Sequence, residues 1–507
     1  MTSALFVLLS LVTASGFGPD VRIDHQNLPN HDCRPCAITV GPGAPSSQPL
    51  YVAFEDDSTL GIDIVRADIM FQKSTDAGRT WLPEDVLIRR GDPGARYPDI
   101  TTDLDGNVYI AFRDTHIDTA GARIYRILCV RSSDGGTTWA QPARVDDSPN
   151  RRAMGWARIA ADTVGNLFCA WVDWRTGISH IWSSVSTDRG ATWRQNVQVD
   201  DDTLTDESYH PEVFVQPGTN HYLVAATTYR WIEGHIRPCA FLCRSTDRGL
   251  TFQPGVHLDT FNWAAGTPHV VADRDHVICD YFGESRSARG RMLVEARTFY
   301  TQPDTWGTPY PVANLDSLHH PYYSGALALS GDGRVHTALM VCDAAEVEWL
   351  YYVYYTSSAD HGVSWSGLEL VDEDTTLSSG HPDIGADSAG HAYVVWPHGD
   401  DGQFRIWFAT NNPLAIAEEP GEPAITEQPS ATVVRGVLFL PKMGIVPEGT
   451  VPIFGPSLLD ASGRKVMDLR PGANDVRTLA PGVYFVRSGP SAVSWQPSAV
   501  TKVVIAD

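Results

Sequence analysis

One short polar turn recurs along this chain, and the spacing of its copies limits what the chain can fold into. The copies read "STDAGRTW", "SSDGGTTW", "STDRGATW", "STDRGLTF" and "SADHGVSW", and they begin at Ser74, Ser132, Ser186, Ser245 and Ser358. Neighbouring copies lie fifty to sixty residues apart. The last gap holds about two periods, with a decayed copy, "YTQPDTWG", at 300–307. A period of this size indicates a repeat architecture built from one supersecondary unit per period.

Each period contains four strand-like runs in a fixed order. Two runs flank a Gly-bearing turn, as in "YPDITTDLDGNVYIAFRD" at 97–114, and a third run leads into the recurring turn. A short fourth run ends in an acid, as in "ARVD" at 143–146. The runs are rich in β-branched and aromatic residues and are separated by Gly, Asn and Asp, which is typical of strands joined by tight turns. Four antiparallel strands per repeat predict one propeller blade.

The number of repeats predicts an all-β propeller with seven blades over residues 20–410. The seventh unit, which ends at "FRIWFATN", contains only three strands, but "VRID" at 21–24 matches the fourth strands "ARVD" and "VQVD". We therefore expect the N-terminal strand to complete the last blade, because closure removes the exposed sheet edges of an open array. The first strands of the seven units begin near residues 33, 97, 156, 209, 267, 320 and 381.

We interpret the recurring turn as structural. It fits the hairpin between the third and fourth strands of a blade. There Ser and Asp side chains bind backbone N–H groups, and Gly adopts a positive φ. The Trp or Phe that ends the turn packs between blades.

The start of the chain and its charge narrow the function classes. Residues 1–16 carry a short apolar run, 4–12, followed by small residues. This predicts a signal peptide and export, although no Lys or Arg precedes the run. No other stretch is apolar enough to cross a membrane. A formal net charge of −23 excludes nucleic acid as the main partner, because both molecules are anionic.

The eight cysteines predict buried free thiols, since most lie in strand-like runs such as "LFCAW". The one close pair, "CRPC" at 33–36, leaves a small disulfide loop as an alternative in an exported protein. We predict neither a metal ion nor another cofactor.

The C-terminal quarter predicts a separate domain. Residues 411–432 are rich in Pro and Glu and indicate a linker, and strand patterns return over 433–507. The pattern "DASGRKV" at 460–466, "LAPGVYFVR" at 479–487 and "KVVI" at 502–505 resembles the sorting domain of proteins exported by the bacterial type IX secretion system. The resemblance implies a small Ig-like β-sandwich, the export machinery as a partner, and a secreted or cell-surface protein. An unrelated Ig-like accessory domain is the alternative.

The turns of residues 20–410 resemble the Asp boxes (bacterial neuraminidase repeats) of the sialidase superfamily. Sialidases have six blades, which is the alternative to our count of seven. The resemblance implies a site at the mouth of the ring. Three arginines bind the carboxylate of a sugar, a Tyr activated by a Glu attacks the anomeric carbon, and an Asp is the acid.

These roles are carried over position by position. Arg34 in "CRPCAI" matches the first arginine, and Glu212 and Arg230 match the pair on one blade. The remaining roles leave alternatives open: Asp57 or Asp63 as the acid, with Asp56 also eligible; Arg289, Arg286 or Arg291 as the third arginine; and Tyr323 or Tyr322 as the nucleophile, where the Tyr-Ser dipeptide favours Tyr323.

Histidines at the starts of first strands point to the same mouth. They are His210, His269, His320 and His381. Propeller geometry brings such positions near the axis, where they would receive an anionic or sugar ligand together with Arg34 and Arg158. The sequence thus leaves two functions open. One is an exported glycan-active propeller, with exo-α-sialidase hydrolysis as its sharpest form. The other is a noncatalytic propeller that binds a glycan, another extracellular polymer or a protein partner.

Overall fold

The chain divides into two compact units, Met1–Ala417 and Glu418–Asp507. The computed structural model describes residues 16–25, 31–59, 65–91, 93–148, 153–200, 207–232, 234–259, 264–284, 292–301, 304–313, 319–343, 350–399, 403–413, 432–434, 437–440, 457–459, 464–468, 472–475, 482–487 and 500–505. Among these residues, no helix has both the length and the apolar character that crossing a membrane requires.

The described part of the first unit is built from short strands and one 3-10 turn, Pro45–Ser47. The strands up to the middle of the unit are β1 Val21–Arg22, β2 His31–Val40, β3 Leu50–Thr59, β4 Val65–Ser74, β5 Val86–Arg89, β6 Gly94–Thr102, β7 Val108–Ile117, β8 Arg123–Ser132, β9 Ala143–Arg144, β10 Ala153–Ala161, β11 Leu167–Asp173, β12 His180–Ser186 and β13 Val197–Gln198. The others are β14 Glu207–Val215, β15 Tyr222–Ile232, β16 His235–Ser245, β17 Val256–His257, β18 Ala264–Ala272, β19 His276–Glu284, β20 Met292–Tyr300, β21 Thr305–Trp306, β22 Tyr310–Pro311, β23 His319–Leu329, β24 Val335–Asp343, β25 Leu350–Ser358, β26 Glu369–Leu370, β27 Ser378–Ser379, β28 Asp383–Ala386, β29 Ala392–Gly399 and β30 Arg405–Thr410.

These strands form antiparallel meanders in chain order. Five sheets have four or five strands each, with the orders β10-β11-β12-β13, β14-β15-β16-β17, β18-β19-β20-β21, β23-β24-β25-β26 and β1-β30-β29-β27. In a sixth sheet of eight strands, β2-β3-β4 and β6-β7-β8-β9 are joined by one parallel pair, Ala67 with Gly94. The first strands of successive meanders are neighbours in a closed cycle. Meanders arranged around a common axis in this way make the first unit an all-β propeller.

The N-terminal strand closes the ring, which confirms the predicted closure. Val21 pairs with Phe408 and Arg22 with Trp407. The next residue, Ile23, donates its N–H to Ile406 O at 2.9 Å, and Asp24 Oδ1 accepts Ile406 N–H at 2.8 Å. The same two bonds join a fourth strand to a third strand within one meander, where Val145 N–H binds Ile127 O and Asp146 Oδ1 accepts Ile127 N–H, each at 2.8 Å.

The recurring turn lies between third and fourth strands, and its predicted hydrogen bonds are present. In the copy that begins at Ser132, Ser132 Oγ donates to Asp134 Oδ1 at 2.7 Å and accepts Gly136 N–H at 2.8 Å. The Gly-to-Ser bond recurs in all five copies. The Trp139 ring packs edge-on against Phe71 of the preceding meander, with 5.0 Å between ring centroids. The turn therefore stabilises its own hairpin through hydrogen bonds and packs it against the preceding meander through the Trp ring.

The hydrophobic core lies between adjacent sheets. At the closure, Ile23, Phe54, Tyr393 and Phe408 are buried in one cluster that joins the first and last meanders. All eight cysteines are free and buried, so the alternative disulfide between Cys33 and Cys36 is wrong. A bulge separates the two residues in β2, and Cys33 Sγ lies 3.9 Å from Asp56 Oδ1 instead.

The described residues of the second unit form two small sheets. One has five strands in the order β31-β37-β36-β33-β34, with β31 parallel to β37, and the other pairs β32 with β35. The strands are β31 Thr432–Val434, β32 Val437–Leu440, β33 Ser457–Leu459, β34 Lys465–Asp468, β35 Gly472–Asp475, β36 Gly482–Arg487 and β37 Val500–Ile505.

Candidate functional site

The first strands share a bulge that shapes the centre of the ring. In four of them the bulge contains a non-glycine residue with a positive φ: 56° at Tyr97, 49° at Trp156, 53° at His210 and 43° at Thr267. The register shifts at the same places, for example between Arg96 and Asp99. Left-handed backbone is strained for such residues, and strain of this kind clusters at functional sites.

The bulged segments line a cavity of about 640 Å³ at the centre of the ring. First strands of six meanders contribute residues to its wall, together with the 378–383 segment of the last meander. Its polar and aromatic lining includes Arg34, Tyr97, Asp99, Trp156, Arg158, His210, Glu212, Thr267, His269, His381, Asp383 and Phe404.

An ion pair and two half-buried carboxyl groups line the cavity. Arg158 Nε donates to Glu212 Oε1 at 2.6 Å across two neighbouring first strands. Asp99 Oδ2 accepts the N–H of Ile159 at 2.6 Å, and Asp383 Oδ2 accepts the N–H of Ile38 at 2.7 Å. Each of these two carboxyl groups thus binds the backbone of the first strand that follows it around the ring.

The protonation of these groups follows from burial and from their neighbours. Burial, opposed by Arg158, raises the pKa of Asp99 to about 7, and burial raises the pKa of Asp383 to about 6. Desolvation by the cavity walls and the nearby histidines His210 and His269 lower the pKa of His381 to about 4. For His269 burial favours the neutral form, but the pKa is raised because Asp280 Oδ1 lies 2.9 Å from Nδ1.

The cavity brings together four of the site residues that the sequence suggested: Arg34, His210, Glu212 and His381. Arg158 and His269, which the sequence also placed near the axis, line the same wall. The roles of these residues in binding or catalysis remain predictions.

Glu212 and Arg230 lie in one meander, as expected, but they are not neighbours within it. Glu212 pairs with Ala225, whereas Arg230 lies at the far end of β15, opposite Arg237. There its guanidinium contacts the imidazole of His257 on the outer strand β17. Antiparallel pairing therefore separates the two residues.

Asp57 does not line the cavity, and its carboxylate is paired with an arginine. Its carboxylate accepts two hydrogen bonds from Arg96, at 2.9 and 3.1 Å, and Arg96 also bonds to Glu55. The alternative acid, Asp56, is buried beside Cys33.

The other candidates lie partly or wholly outside the described residues. Asp63, Arg286, Arg289 and Arg291 fall in the undescribed ranges 60–64 and 285–291. Tyr322, Tyr323 and His320 belong to β23, where Tyr323 pairs with Met340, but their side chains are not among those described.

Part of the cavity wall is an aromatic shelf, Tyr97 and Trp156, that was not predicted from the sequence. The rings of Tyr97 and Trp156 stack with centroids 5.2 Å apart, and Arg113 lies over the Tyr97 ring at 4.8 Å. Trp156 also contacts His210, with 5.5 Å between centroids. A signal was available, because Tyr97 and Trp156 occupy the same repeat position as His210 at the start of their strands.

A second cavity of about 580 Å³, which we call the aromatic groove, adjoins the shelf. It shares Trp156 and His210 with the central cavity. Its other lining residues are Ile178, Glu207, Tyr209, Tyr229 and Ile236. Polar groups are fixed in its wall, since Tyr209 Oη donates to Glu207 Oε2 at 2.8 Å and accepts from Ser179 Oγ at 3.0 Å.

The fold and this site define a class: an all-β propeller with a charged central cavity and an adjoining aromatic groove. No protein-family model and no curated protein matches the chain. Among solved structures, it is similar to a protein of unknown function from Dyadobacter fermentans, at 16% identity and a TM-score of 0.47 over 77% of this chain and 97% of that one.

Two enzymes are also similar in fold. The NanB sialidase of Streptococcus pneumoniae matches at 9% identity and a TM-score of 0.40, over 77% of this chain and 94% of that one. An α-L-arabinofuranosidase from Fusarium graminearum matches at 14% identity and a TM-score of 0.41, over 63% and 93%. Likenesses at this level carry no argument about activity.

Proposed function

We propose that the propeller binds a glycan across the central cavity and the adjoining aromatic groove. The observation that carries this proposal is the continuous wall of aromatic rings, Trp156, Tyr209 and Tyr229, next to fixed polar groups. Sugar rings present apolar C–H faces that pack on aromatic rings, and their hydroxyls need oriented donors and acceptors. Each of the two cavities has the size usual for a ligand pocket, about 300–1,000 Å³.

The charges favour a glycan of low charge. Arg158 is paired with Glu212 and is close to the carboxyl groups of Asp99 and Asp383, so its charge is already balanced. Arg34 pairs with Asp32 at 3.0 Å and lies over the Phe404 ring at 4.4 Å. A strongly anionic polymer would also be repelled by the net charge of −23.

The proposal is tested by titrating the purified protein with neutral polysaccharides and oligosaccharides in a calorimeter. We expect Trp156→Ala and Tyr229→Ala to weaken binding about tenfold or more, because each removes stacking area. Tyr310→Ala is the matched control, since Tyr310 is 38% exposed and lies in β22, outside both cavities. The proposal fails if no glycan binds, or if folded Trp156→Ala binds as the unaltered protein does.

Sialidase-type hydrolysis is the second candidate function. It is favoured because two arginines, Arg34 and Arg158, and the carboxylate of Glu212 lie in one cavity. In this alternative Arg158 takes the place expected of Arg230, and Glu212 activates Tyr323. Release of a fluorogenic sialoside tests it, with Tyr323→Phe as the control. Turnover that is absent, or that persists unchanged in Tyr323→Phe, would reject this assignment.

We further propose that the ring has seven blades. The count takes the eight-stranded sheet as two meanders joined by the single Ala67–Gly94 pair. It is supported by the closed cycle of neighbouring inner strands β2, β6, β10, β14, β18, β23 and β28. The six blades of sialidases are the alternative, and an experimental electron-density map would decide between them.

We also propose that the protein is exported to the cell surface or the medium. The support comes from the apolar run in residues 1–16, from the sorting-domain pattern in 433–507, and from the separate unit Glu418–Asp507. The second unit would be an Ig-like β-sandwich that the type IX machinery recognises. Fusing residues 411–507 to a periplasmic reporter tests this proposal. The reporter should reach the surface of a bacterium that has the type IX system and should stay inside a mutant that lacks it.

A further inference from the structure

We propose that Asp273, His276 and His361 form a Zn²⁺ site that links two neighbouring meanders. Each residue brings one ligand atom to within 4.8 Å of the others. The side chains are between a quarter and a third exposed, which leaves room for a water molecule as a further ligand. The site is separate from the central cavity, because Asp273 follows the end of β18 whereas the cavity is lined by Thr267 and His269 near its start.

The distances suit a tetrahedral ion. Asp273 Oδ2 lies 3.0 Å from His276 Nδ1 and 3.2 Å from His361 Nε2. Zinc bonds of about 2.0–2.2 Å to nitrogen and oxygen place neighbouring ligand atoms of a tetrahedron about 3.3 Å apart. The ligand nitrogens of His276 and His361 lie within 4.8 Å of each other, and side-chain rotations that bring them to about this separation would admit the ion.

The carboxylate is already oriented for this role. Asp273 Oδ1 accepts the backbone N–H groups of Asp275 and His276, both at 2.7 Å. These bonds hold the carboxylate in place, as outer hydrogen bonds do for metal ligands, and His276 Nδ1 then lies 3.1 Å from Oδ1 and 3.0 Å from Oδ2.

The two imidazoles are stacked face to face, so one ring must turn for both nitrogens to face a single ion. Their rings stack with centroids 3.9 Å apart and an interplanar angle of 25°, and Tyr300 packs edge-on against His276. Neutral imidazole is the form that binds Zn²⁺.

The equivalent turns show what a simple bridge between meanders looks like. At the position of His361, two other copies carry arginine: Arg189 bonds to Asp105, and Arg248 Nε donates to Asn220 Oδ1 at 2.8 Å. The three residues share a positive φ, 60° at both arginines and 59° at His361. One cation and one acceptor suffice for such a bridge. A second imidazole, that of His276, adds nothing to it but supplies the third ligand of a metal site.

The donor set favours zinc over other common ions. Two imidazole nitrogens and one carboxylate oxygen suit Zn²⁺, whereas Ca²⁺ and Mg²⁺ require oxygen ligands. An ion held by residues of two meanders would stabilise the folded ring, because it binds the folded state and not the unfolded chain.

The test uses untagged full-length protein stripped with a chelator and titrated with Zn²⁺ in a calorimeter. His361→Arg is the key variant. It introduces the arginine that the equivalent turns carry at positions 189 and 248, so the variant should fold normally. His116→Arg alters an exposed histidine elsewhere and is the matched control. We expect the unaltered protein and His116→Arg to bind one Zn²⁺ at this site and to unfold a few degrees higher with zinc. His361→Arg should keep the zinc-free midpoint and lose the zinc-dependent rise.

A second variant and a spectroscopic readout complete the test. His276→Gln should also abolish the rise in midpoint, and Co²⁺ in place of Zn²⁺ should give the intense visible bands of a tetrahedral site only when both histidines are present. The proposal is overturned if the unaltered protein binds no zinc. It is equally overturned if His361→Arg and His276→Gln bind zinc as the unaltered protein does, because the ion would then belong to other histidines.

Discussion

Asp99 and Asp383 connect protonation to the integrity of the ring. Each carboxyl group accepts a backbone N–H from the neighbouring first strand, from Ile159 and from Ile38. Both have raised pKa values, about 7 and about 6, so both bind protons more tightly in the folded protein than in the unfolded chain. The folded state therefore loses relative stability as the pH rises from about 4 to about 7.

Replacing Asp99 with Asn should reduce this pH dependence. The amide oxygen still accepts the N–H of Ile159, but the side chain no longer ionises beside the carboxylates of Glu212 and Asp383. Relative to the unaltered protein, the free energy of unfolding of Asp99→Asn should rise by about 1–2 kcal/mol between pH 4.5 and pH 7.5. Urea denaturation at the two pH values measures the change. Glu84→Gln, at an exposed carboxyl, is the control, and an equal pH response in both variants would contradict the prediction.

For single residues, the sequence predicted where the site residues lie better than which side chains they contact. His210 and His381 were placed near the axis because each stands at the start of a first strand, where the repeat fixes the geometry, whereas Glu212 was assigned by the resemblance to sialidases. Their contacts were not predictable, since the Arg158–Glu212 pair joins two strands that are 54 residues apart. The contacts of Arg230 were not predictable for the same reason, because its neighbours depend on the register of β15.

At the scale of single elements, the recurring turn joins backbone conformation to packing. Gly136 has a φ of 80°, and a Cβ added there would lie 2.4 Å from Cζ of Phe71 in the preceding meander. Gly121 has the same φ of 80°, but an added Cβ would meet nothing within 4 Å. The two glycines thus separate the cost of left-handed backbone from the cost of a collision.

Gly121→Ala should lower the free energy of unfolding by about 1–2 kcal/mol, through backbone strain alone. Gly136→Ala should lower it by a further 1–3 kcal/mol or so, because Phe71 must move out of a packed core. Urea denaturation of both variants, followed by tryptophan fluorescence, measures the difference. Equal losses would show that the turn does not constrain the neighbouring meander.

The sequence predicted these elements well because their determinants are local. The Ser, Asp and Gly of the turn bind one another within five residues, so each copy carries its own structural signal. The bulges of the first strands were not predicted. Their positive φ values fall on Tyr97, Trp156 and His210, residues that do not favour left-handed backbone in isolation. The aromatic shelf, which depends on those bulges, was missed with them.

For the whole molecule, the ring depends on a very short N-terminal strand. Ile23 is fully buried among residues of the first and last meanders, and β1 covers the outer edge of β30. The sequence predicted this closure because "VRID" repeats the pattern of the other fourth strands. The joining of two meanders into one eight-stranded sheet was not predictable, since a single parallel pair, Ala67 with Gly94, creates it.

Removing residues 1–25 should destabilise the entire first unit. The deletion exposes the edge of β30 and the cavity left by Ile23, so the thermal midpoint should fall by several degrees and the protein should aggregate on heating. Differential scanning calorimetry with light scattering measures both effects. A protein lacking only residues 1–15 is the control, and equal midpoints for the two truncations would contradict a role for β1 in closure.

The closing hydrogen bond between Asp24 and Ile406 spans 382 positions of the chain. During synthesis, β1 therefore emerges first, and its partner strand β30 is made only after almost all of the propeller. Until then, a chaperone or export factor would bind an incomplete propeller with an unpaired strand edge at each end. We expect the propeller to fold as one cooperative unit only once β30 has been made and pairs with β1.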